Sequence, residues 1–273
     1  MDFFGKPATD LKHKKLFLLD MDGTIYNENT LFDGTKEFLS YLKENEIQYV
    51  FITNNSSRSV EDYVCKLRTM GIEATKEDFF TSTQASIVYL QDKYKNKKIY
   101  VQGTDSLIKE LCEGKIHVST DVEEDIDAVL VGFDTELTSE KLRKTSELLT
   151  RKLPFIATNP DLACPVHFGF IPDCGSICQM LTNATGQQPL YIGKPNSLMV
   201  DLAMDKFSCN KEETVVVGDR LYTDIATGIN SNVTAVCVLS GEAAVDDIVN
   251  GNIKPTFTFQ SIKEILNELK SSE

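Results

Sequence analysis

Apolar residues along this chain come in short unbroken runs, and three of those runs end in acidic, hydroxyl or amide side chains. Leu16 to Leu19 leads into Asp20-Met21-Asp22-Gly23-Thr24, Val50-Phe51-Ile52 into Thr53-Asn54-Asn55, and Thr214 to Val217 into Gly218-Asp219-Arg220. Runs of this kind, bounded by turn formers, predict strands buried on both faces. Helical signals lie between them. Gly34 to Asn45 predicts one helix, and Ser59-Val60-Glu61-Asp62 resembles a capping box that opens a second, ending near Gly71. Pro195 to Phe207 predicts a third, because Pro suits a first helical turn; Thr223 to Asn232 predicts a fourth, and Thr234 to Leu239 a further strand. Strands alternating with helices imply a doubly wound parallel sheet with helices on both faces.

The long middle of the chain has a rhythm of its own. Lys98 to Gln102, Asp127 to Gly132 and Phe155 to Thr158 read as strands. Ser106 to Cys112 and Ser139 to Arg151 read as helices, and Gly175-Ser176 opens a third that runs to Thr185, with Gly186 as its stop. A stretch able to build its own sheet is too large for a loop. Residues 82–186 are therefore expected to form a second, inserted α/β domain, with 1–81 and 187–273 as the first.

Candidate chemistry gathers where the apolar runs end. Asp20 falls at the carboxyl end of a strand, the place where open α/β sheets bind ligands. Asp20 and Asp22, two residues apart, repel each other unless a cation or a shared proton is present, and hard oxygen ligands of this kind suit Mg²⁺. Asp219 and Asp224 add two more carboxylates, and Lys194 stands directly before a Pro.

Composition narrows the partners. The chain has 273 residues, 41 % hydrophobic and 25 % charged, as expected of one large or two modest globular domains. No apolar run approaches the ~20 residues needed to cross a bilayer. Met1 to Lys15 lacks an apolar signal core, so a cytoplasmic location is expected. A net charge of −13 disfavours nucleic acid and anionic membranes, which need a basic face. It also opposes an anionic substrate unless Mg²⁺, Lys194, Arg58 and Arg220 make one local positive pocket. The 7 cysteines include no Cys-x-x-Cys pair, and reduced thiols are expected. Cys65, Cys112, Cys178, Cys209 and Cys237 read as small core residues. Cys164, His167, Cys174 and Cys178 match no standard zinc spacing.

Four elements in chain order, Asp20-Met21-Asp22-Gly23-Thr24, Thr53, Lys194 and Asp219 to Asp224, resemble the haloacid dehalogenase superfamily of phosphatases. Thr53-Asn54-Asn55-Ser56-Ser57-Arg58, Thr158-Asn159-Pro160-Asp161, Gly175-Ser176-Ile177 and Gly193-Lys194-Pro195 narrow the likeness to the NagD and p-nitrophenylphosphatase subgroup, over nearly the whole chain. The resemblance implies a Rossmann-like core with the inserted domain as a cap. It also implies Mg²⁺-dependent hydrolysis of a small phosphorylated metabolite, such as a sugar phosphate or nucleoside monophosphate, through an aspartyl-phosphate. Asp20 is then the nucleophile and Asp22 the general acid. Thr53 and the Asn54 N–H bind phosphoryl oxygens, and Lys194 neutralises growing charge. Asp20, the Asp22 backbone carbonyl and Asp219 hold the metal, while Asp224 orients a metal-bound water or holds Lys194. Cap loops bearing Asn159, Asp161, Gly175 and Ser176 face the core and touch the substrate away from phosphate. The helix opening at Gly175-Ser176 offers further N–H groups. Asp173 stands where the family commonly carries Gly, and His167 reads as packing or solvent-facing. A homodimer is implied by the resemblance alone.

Three other readings compete. A phosphotransferase or phosphomutase of the same superfamily shares the first chemical step. A receiver-like signalling module also clusters acids, a hydroxyl and a Lys, but has no inserted domain and no x-Asp-Gly-Thr after its acceptor. A non-catalytic metabolite binder does not require all four elements.

Overall fold

The computed structural model describes residues 1–166 and 168–271. Its contacts divide the chain into two compact units, residues 1–53, 63–80 and 194–273, and residues 54–62 and 81–193.

The first unit is built on a six-stranded sheet in the order Phe257–Phe259, Thr234–Val238, Thr214–Gly218, Leu16–Leu19, Gln48–Thr53, Phe79–Thr81. Leu16–Leu19 runs parallel to both neighbours, with Leu16 opposite Thr214 on one side and Gln48 on the other. Its four side chains are fully buried, as are Val215, Val216 and Val217. That accounts for the unbroken apolar runs: a central strand covered on both faces has no solvent side to alternate towards. Each such Leu or Phe contributes roughly 1.5–3 kcal/mol by leaving water. Chain order runs outward from Leu16–Leu19 in one direction, then returns to Thr214–Gly218 and runs outward in the other. The crevice between these two strands is thus a topological switch point.

Helix Thr35–Glu44 is flanked by Gly34 and Asn45 as expected. Helix Val60–Thr69 opens on a reciprocal cap, in which Ser59 N–H and hydroxyl donate to Asp62 Oδ2 at 3.0 and 2.9 Å. The helix expected from Pro195 begins instead at Leu198, because the Leu198 N–H donates to Asn196 Oδ1 at 3.0 Å, a side-chain turn that holds residues 195–197 out of the helix. The helix expected from Thr223 begins as one widened turn over Leu221–Ile225, where Ile225 N–H reaches back to Arg220 O at 3.2 Å, and continues as Ala226–Ser231.

The second unit has a five-stranded sheet in the order Leu190–Tyr191, Phe155–Ala157, Ala128–Val131, Lys98–Gln102, His117–Ser119, all parallel. Helices Asp105–Glu113, Ser139–Thr150 and Cys174–Thr185 match the expected ones, and Gly186 caps the last in left-handed geometry. A core of Val129, Val131, Phe133, Leu148, Phe155 and Ile177 fills this unit. The short His117–Ser119 strand and the Ala163–Val166/Gly169–Pro172 hairpin carry no apolar run and escape the sequence reading. Residues 54–62 and 187–193 pack with this unit; Ser56 Oγ lies 2.8 Å from Thr158 Oγ1 and Gly193 N–H donates to Thr158 O at 2.8 Å.

All seven cysteines are unbridged. Cys178 and Cys237 are buried, but Cys65 and Cys112 are exposed and Cys209 half-buried. The expectation of core packing fails at Cys65 and Cys112, which occupy the solvent faces of their helices. No helix among the described residues is long and apolar enough to cross a membrane.

Candidate active site

Asp20, Asp219 and Asp224 come together at the carboxyl ends of the two central strands. One oxygen from each lies within 4.8 Å of the others. Asp20 directly follows Leu19, and its N–H donates to Val217 O at 2.9 Å, which ties it to the neighbouring strand. Asp224 arrives on the widened turn, and its Oδ2 accepts the Arg220 N–H at 3.1 Å.

Lys194 is the counter-charge. Its Nζ stands 2.6 Å from Asp20 Oδ1 and 2.6 Å from Asp224 Oδ1, with only 4 % of its side chain exposed. Three carboxylates, Asp219 and Asp224 buried and Asp20 half-buried, face one ammonium, an excess of two negative charges when all are ionised. Burial raises the Asp20 pKa well above the usual carboxylate range; Asp224 and Asp219 push it further, and Lys194 only partly offsets them. Burial, then Asp224, lifts Asp219 to about 6. For Lys194, burial acts to lower the pKa, but Asp20 and Asp224 outweigh it and hold the ammonium charged.

The donor set fits a dication. Its members are oxygens, its excess charge matches, and Asp219 Oδ1 is buried without a hydrogen-bond partner. Three glycines make room. A Cβ on Gly23 or Gly241 would lie 2.3 or 2.0 Å from Asp219 Oδ2, and one on Gly218 would lie 2.3 Å from the Asp224 side chain. Gly23 also has φ +87°, a conformation that other residues rarely adopt. Opposite the orphaned oxygen, Asp219 Oδ2 accepts the Glu242 N–H at 2.8 Å, which fixes the carboxylate's rotation.

The structure does not bring every expected side chain to this cluster. The Asp22 carboxylate is 62 % exposed and sits 4.0 Å from Lys66 Nζ, outside the three-acid group. Three residues past the strand end at Leu19, where the chain enters the Gly23 turn, Asp22 faces water. Thr53 ends its strand half-buried, and Arg58 is exposed. Arg220 is half-buried; its Nε lies 3.0 Å from Glu242 Oε2, a partner that sequence reasoning missed because it comes from a separate loop.

In the second unit the expected substrate-binding groups hold one another. Asp161 Oδ2 accepts Asn54 Nδ2 at 2.8 Å and Asn159 Nδ2 at 3.0 Å, and Asn159 Nδ2 also donates to Asp173 Oδ1 at 3.0 Å. Asp173 is the N-cap of helix Cys174–Thr185 and accepts the Cys174 N–H. The helix expected to open at Gly175-Ser176 thus begins one residue earlier, at Cys174. The Gly175 N–H donates to Asp161 O at 2.8 Å and the Ser176 hydroxyl to Leu162 O at 2.5 Å, so both of these donor hydrogens are used within the unit. His167 lies outside the described residues.

Residues 17–117 match the haloacid dehalogenase-like hydrolase family model, and residues 191–265 a second, HAD-hydrolase-like model. An acid sugar phosphatase of Staphylococcus haemolyticus is 33 % identical over 96 % of this chain and 99 % of its own length. The crystal structure of a 4-nitrophenylphosphatase from Thermotoga maritima superposes with a TM-score of 0.90 at 39 % identity, covering 96 % of this chain and 99 % of that one. NagD of E. coli K-12 gives 0.85 at 31 % identity, covering 92 % and 98 %. With strand-end acids and a buried Lys in the family's order and likeness along nearly its whole length, this chain belongs to the haloacid dehalogenase-like hydrolases, as a phosphatase of the NagD and p-nitrophenylphosphatase subgroup.

Proposed function

We propose that this enzyme is a Mg²⁺-dependent phosphatase that hydrolyses small phosphomonoesters, sugar phosphates among them, through an aspartyl-phosphate on Asp20. The observation that carries this reading is Asp20 itself, a strand-end carboxylate held 2.6 Å from the Lys194 ammonium beside Asp219 and Asp224. Phosphate esters resist attack because their anionic oxygens repel a nucleophile, so positioning and neutralised charge do most of the catalytic work. Bound Mg²⁺, held by Asp20, the Asp22 backbone carbonyl and Asp219, supplies neutralising positive charge.

Lys194 supplies the rest of that charge and orients the Asp20 carboxylate. An Asp20 oxygen bonds to phosphorus as the ester P–O bond breaks, and Asp22 gives its proton to the departing alkoxide. Water then attacks phosphorus and gives a proton back to Asp22, releasing phosphate and restoring Asp20. The exposure of Asp22 suits a group that must exchange protons with solvent. Thr53 and the Asn54 N–H hold phosphoryl oxygens, and Asp224 keeps Lys194 in place. Two relatives' names support the substrate class, an acid sugar phosphatase and a glycerol phosphate phosphatase from Mycobacterium tuberculosis solved with magnesium, the latter 26 % identical with a TM-score of 0.87. Residues 1–81 and 187–273 form the catalytic domain in this reading, and 82–186 a cap that selects the leaving group. A cytoplasmic homodimer completes it.

The test is phosphate release by purified protein across sugar phosphates, glycerol phosphates, nucleoside monophosphates and p-nitrophenyl phosphate, with Mg²⁺ and with EDTA. Turnover of several esters that EDTA abolishes is expected. Transfer to a second acceptor without free phosphate would favour a phosphotransferase, and full activity in chelated protein would remove the metal.

A further inference from the structure

Asn54, next to Thr53 in the chain, is tethered through both its backbone and its side chain. Its backbone carbonyl accepts the Ser82 hydroxyl at 2.7 Å, and its Nδ2 donates to Asp161 Oδ2 at 2.8 Å. Its Oδ1 lies where a Cβ on Gly193 would come within 2.4 Å, so its carboxamide is wedged against the Gly193 backbone. Thr53 precedes Asn54 and Lys194 follows Gly193. One carboxamide therefore locks the chain on either side of two proposed catalytic residues.

The lock has its own support. Asp161 Oδ2 is shared with Asn159 Nδ2, Asn159 is fully buried, and Asp173 Oδ1 holds that same amide at 3.0 Å while capping helix Cys174–Thr185. The Asp161 carbonyl accepts the Gly175 N–H, and a Cβ on Gly175 would lie 2.1 Å from Pro160 O, so the 159–162 loop is pressed onto the helix with no space between. A carboxylate oxygen that accepts two amide donors, in a loop fixed at both ends, is built to hold a neighbour. A group meant to greet a variable leaving group would be left with open lone pairs and freedom to adapt.

We propose that Asp161 is a positioning residue. It fixes the Asn54 carboxamide, and through it the Thr53–Asn54 strand end that grips the phosphoryl group, with Asn159 and Asp173 as its support. This rests on the proposed role of Thr53 and the Asn54 N–H in phosphate binding. Asp161 acts on the phosphoryl half of every substrate alike.

Inorganic phosphate separates this from a contact to the leaving group, because it has no leaving group. Asp161→Ala is expected to weaken competitive inhibition by inorganic phosphate about tenfold. It should also lower kcat/KM for p-nitrophenyl phosphate and for a sugar phosphate by similar factors. Asp161→Asn, which keeps an oxygen acceptor for the Asn54 amide, is expected to recover most of the loss. Should Asp161→Ala fail to fold, Asp161→Ser, too short to reach that amide, carries the same expectations. Unchanged phosphate inhibition combined with a shifted ratio between the two substrates would overturn the proposal and make Asp161 a substrate contact. Equal losses in the Asn and Ala variants would overturn it too. Thr53→Ala, measured in parallel, distinguishes the two possible failures. Phosphate inhibition insensitive to Thr53→Ala overturns the phosphate site and the lock with it, whereas insensitivity to Asp161→Ala alone overturns only the lock.

Discussion

Lys194 Nζ stands 2.6 Å from Asp20 Oδ1, although 174 residues separate the two along the chain. Neither side chain is stable alone at this depth. Each supplies the charge that the other lacks, and Asp224 makes the same 2.6 Å contact from the far side.

Lys194→Ala is therefore expected to cost stability as well as activity. Removing one partner of a buried pair strands the other, typically for about 3–5 kcal/mol, and here two carboxylates are stranded. Thermal unfolding should show a lowered midpoint in metal-free protein and a smaller deficit with Mg²⁺, while phosphate release falls at least a hundredfold. A normal midpoint without metal would mean that the pair contributes nothing to folding.

Asp20→Asn should behave in the opposite way. The amide keeps the side chain's shape and removes one charge from a repelling cluster, so metal-free protein is expected to be at least as stable as the wild type. Turnover should vanish, since an amide is no nucleophile. Substantial turnover by this variant would take the nucleophile's role away from Asp20.

Metal-free protein is expected to lose stability as pH rises from about 4 to about 6. The folded pKa of Asp219 is lifted from 3.8 to about 6 by burial and by Asp224, and Asp20 is lifted well above the same starting value. Within that window the unfolded chain has released protons that the folded chain keeps, so unfolding free energy falls as pH rises, on the order of 2 kcal/mol for Asp219. Lys194 does not enter, since its contribution is lost only at strongly alkaline pH. Mg²⁺ should consequently raise the urea midpoint more at neutral pH than near pH 5, and Asp219→Asn should flatten the metal-free profile. A metal-free midpoint that rises between pH 4 and 6 would contradict this assignment of sign.

Gly241→Ala adds one methyl group where Asp219 Oδ2 already stands, 2.0 Å from the new Cβ. The carboxylate must turn or the 240–243 loop must move. The Mg²⁺ concentration for half-maximal activity is expected to rise about tenfold or more, with KM for substrate changing less. An unchanged metal requirement would show that the loop yields freely.

Much of this site was legible because burial writes itself into sequence. Leu16–Leu19 and Thr214–Gly218 are covered on both faces, so their apolar runs are unbroken and the acids after them mark the strand ends. The Ser59–Asp62 cap and the Gly186 stop are local devices with local signatures. What escaped was set by polar contacts at a distance. Asn196 turns the chain before Leu198, the backbone widens over 221–225, and the 159–162 loop is held by side-chain amides and carboxylates; none of these leaves a periodic trace. Asp161, Gly175 and Ser176 drew attention as the right residue types, but sequence cannot tell a free polar group from a satisfied one. Asp22 was legible as an acid near the site, not as one turned towards water.

The discontinuity of the first unit also sets an order in time. Leu16 pairs with Thr214, so the central strand of the main sheet waits for a partner made nearly two hundred residues later, after every residue of the second unit has been synthesised. Bridging that separation is an entropic barrier that local contacts cannot lower. On a ribosome the inserted unit is expected to be complete while Leu16–Leu19 still has one sticky apolar edge open. Nascent chains stalled so that residue 193 has left the ribosomal tunnel and residue 214 has not should resist protease across 81–193 and be cut near 16–19, and equal protection of both stretches would refute this order. Such a chain has most need of a chaperone in the interval before its last quarter emerges.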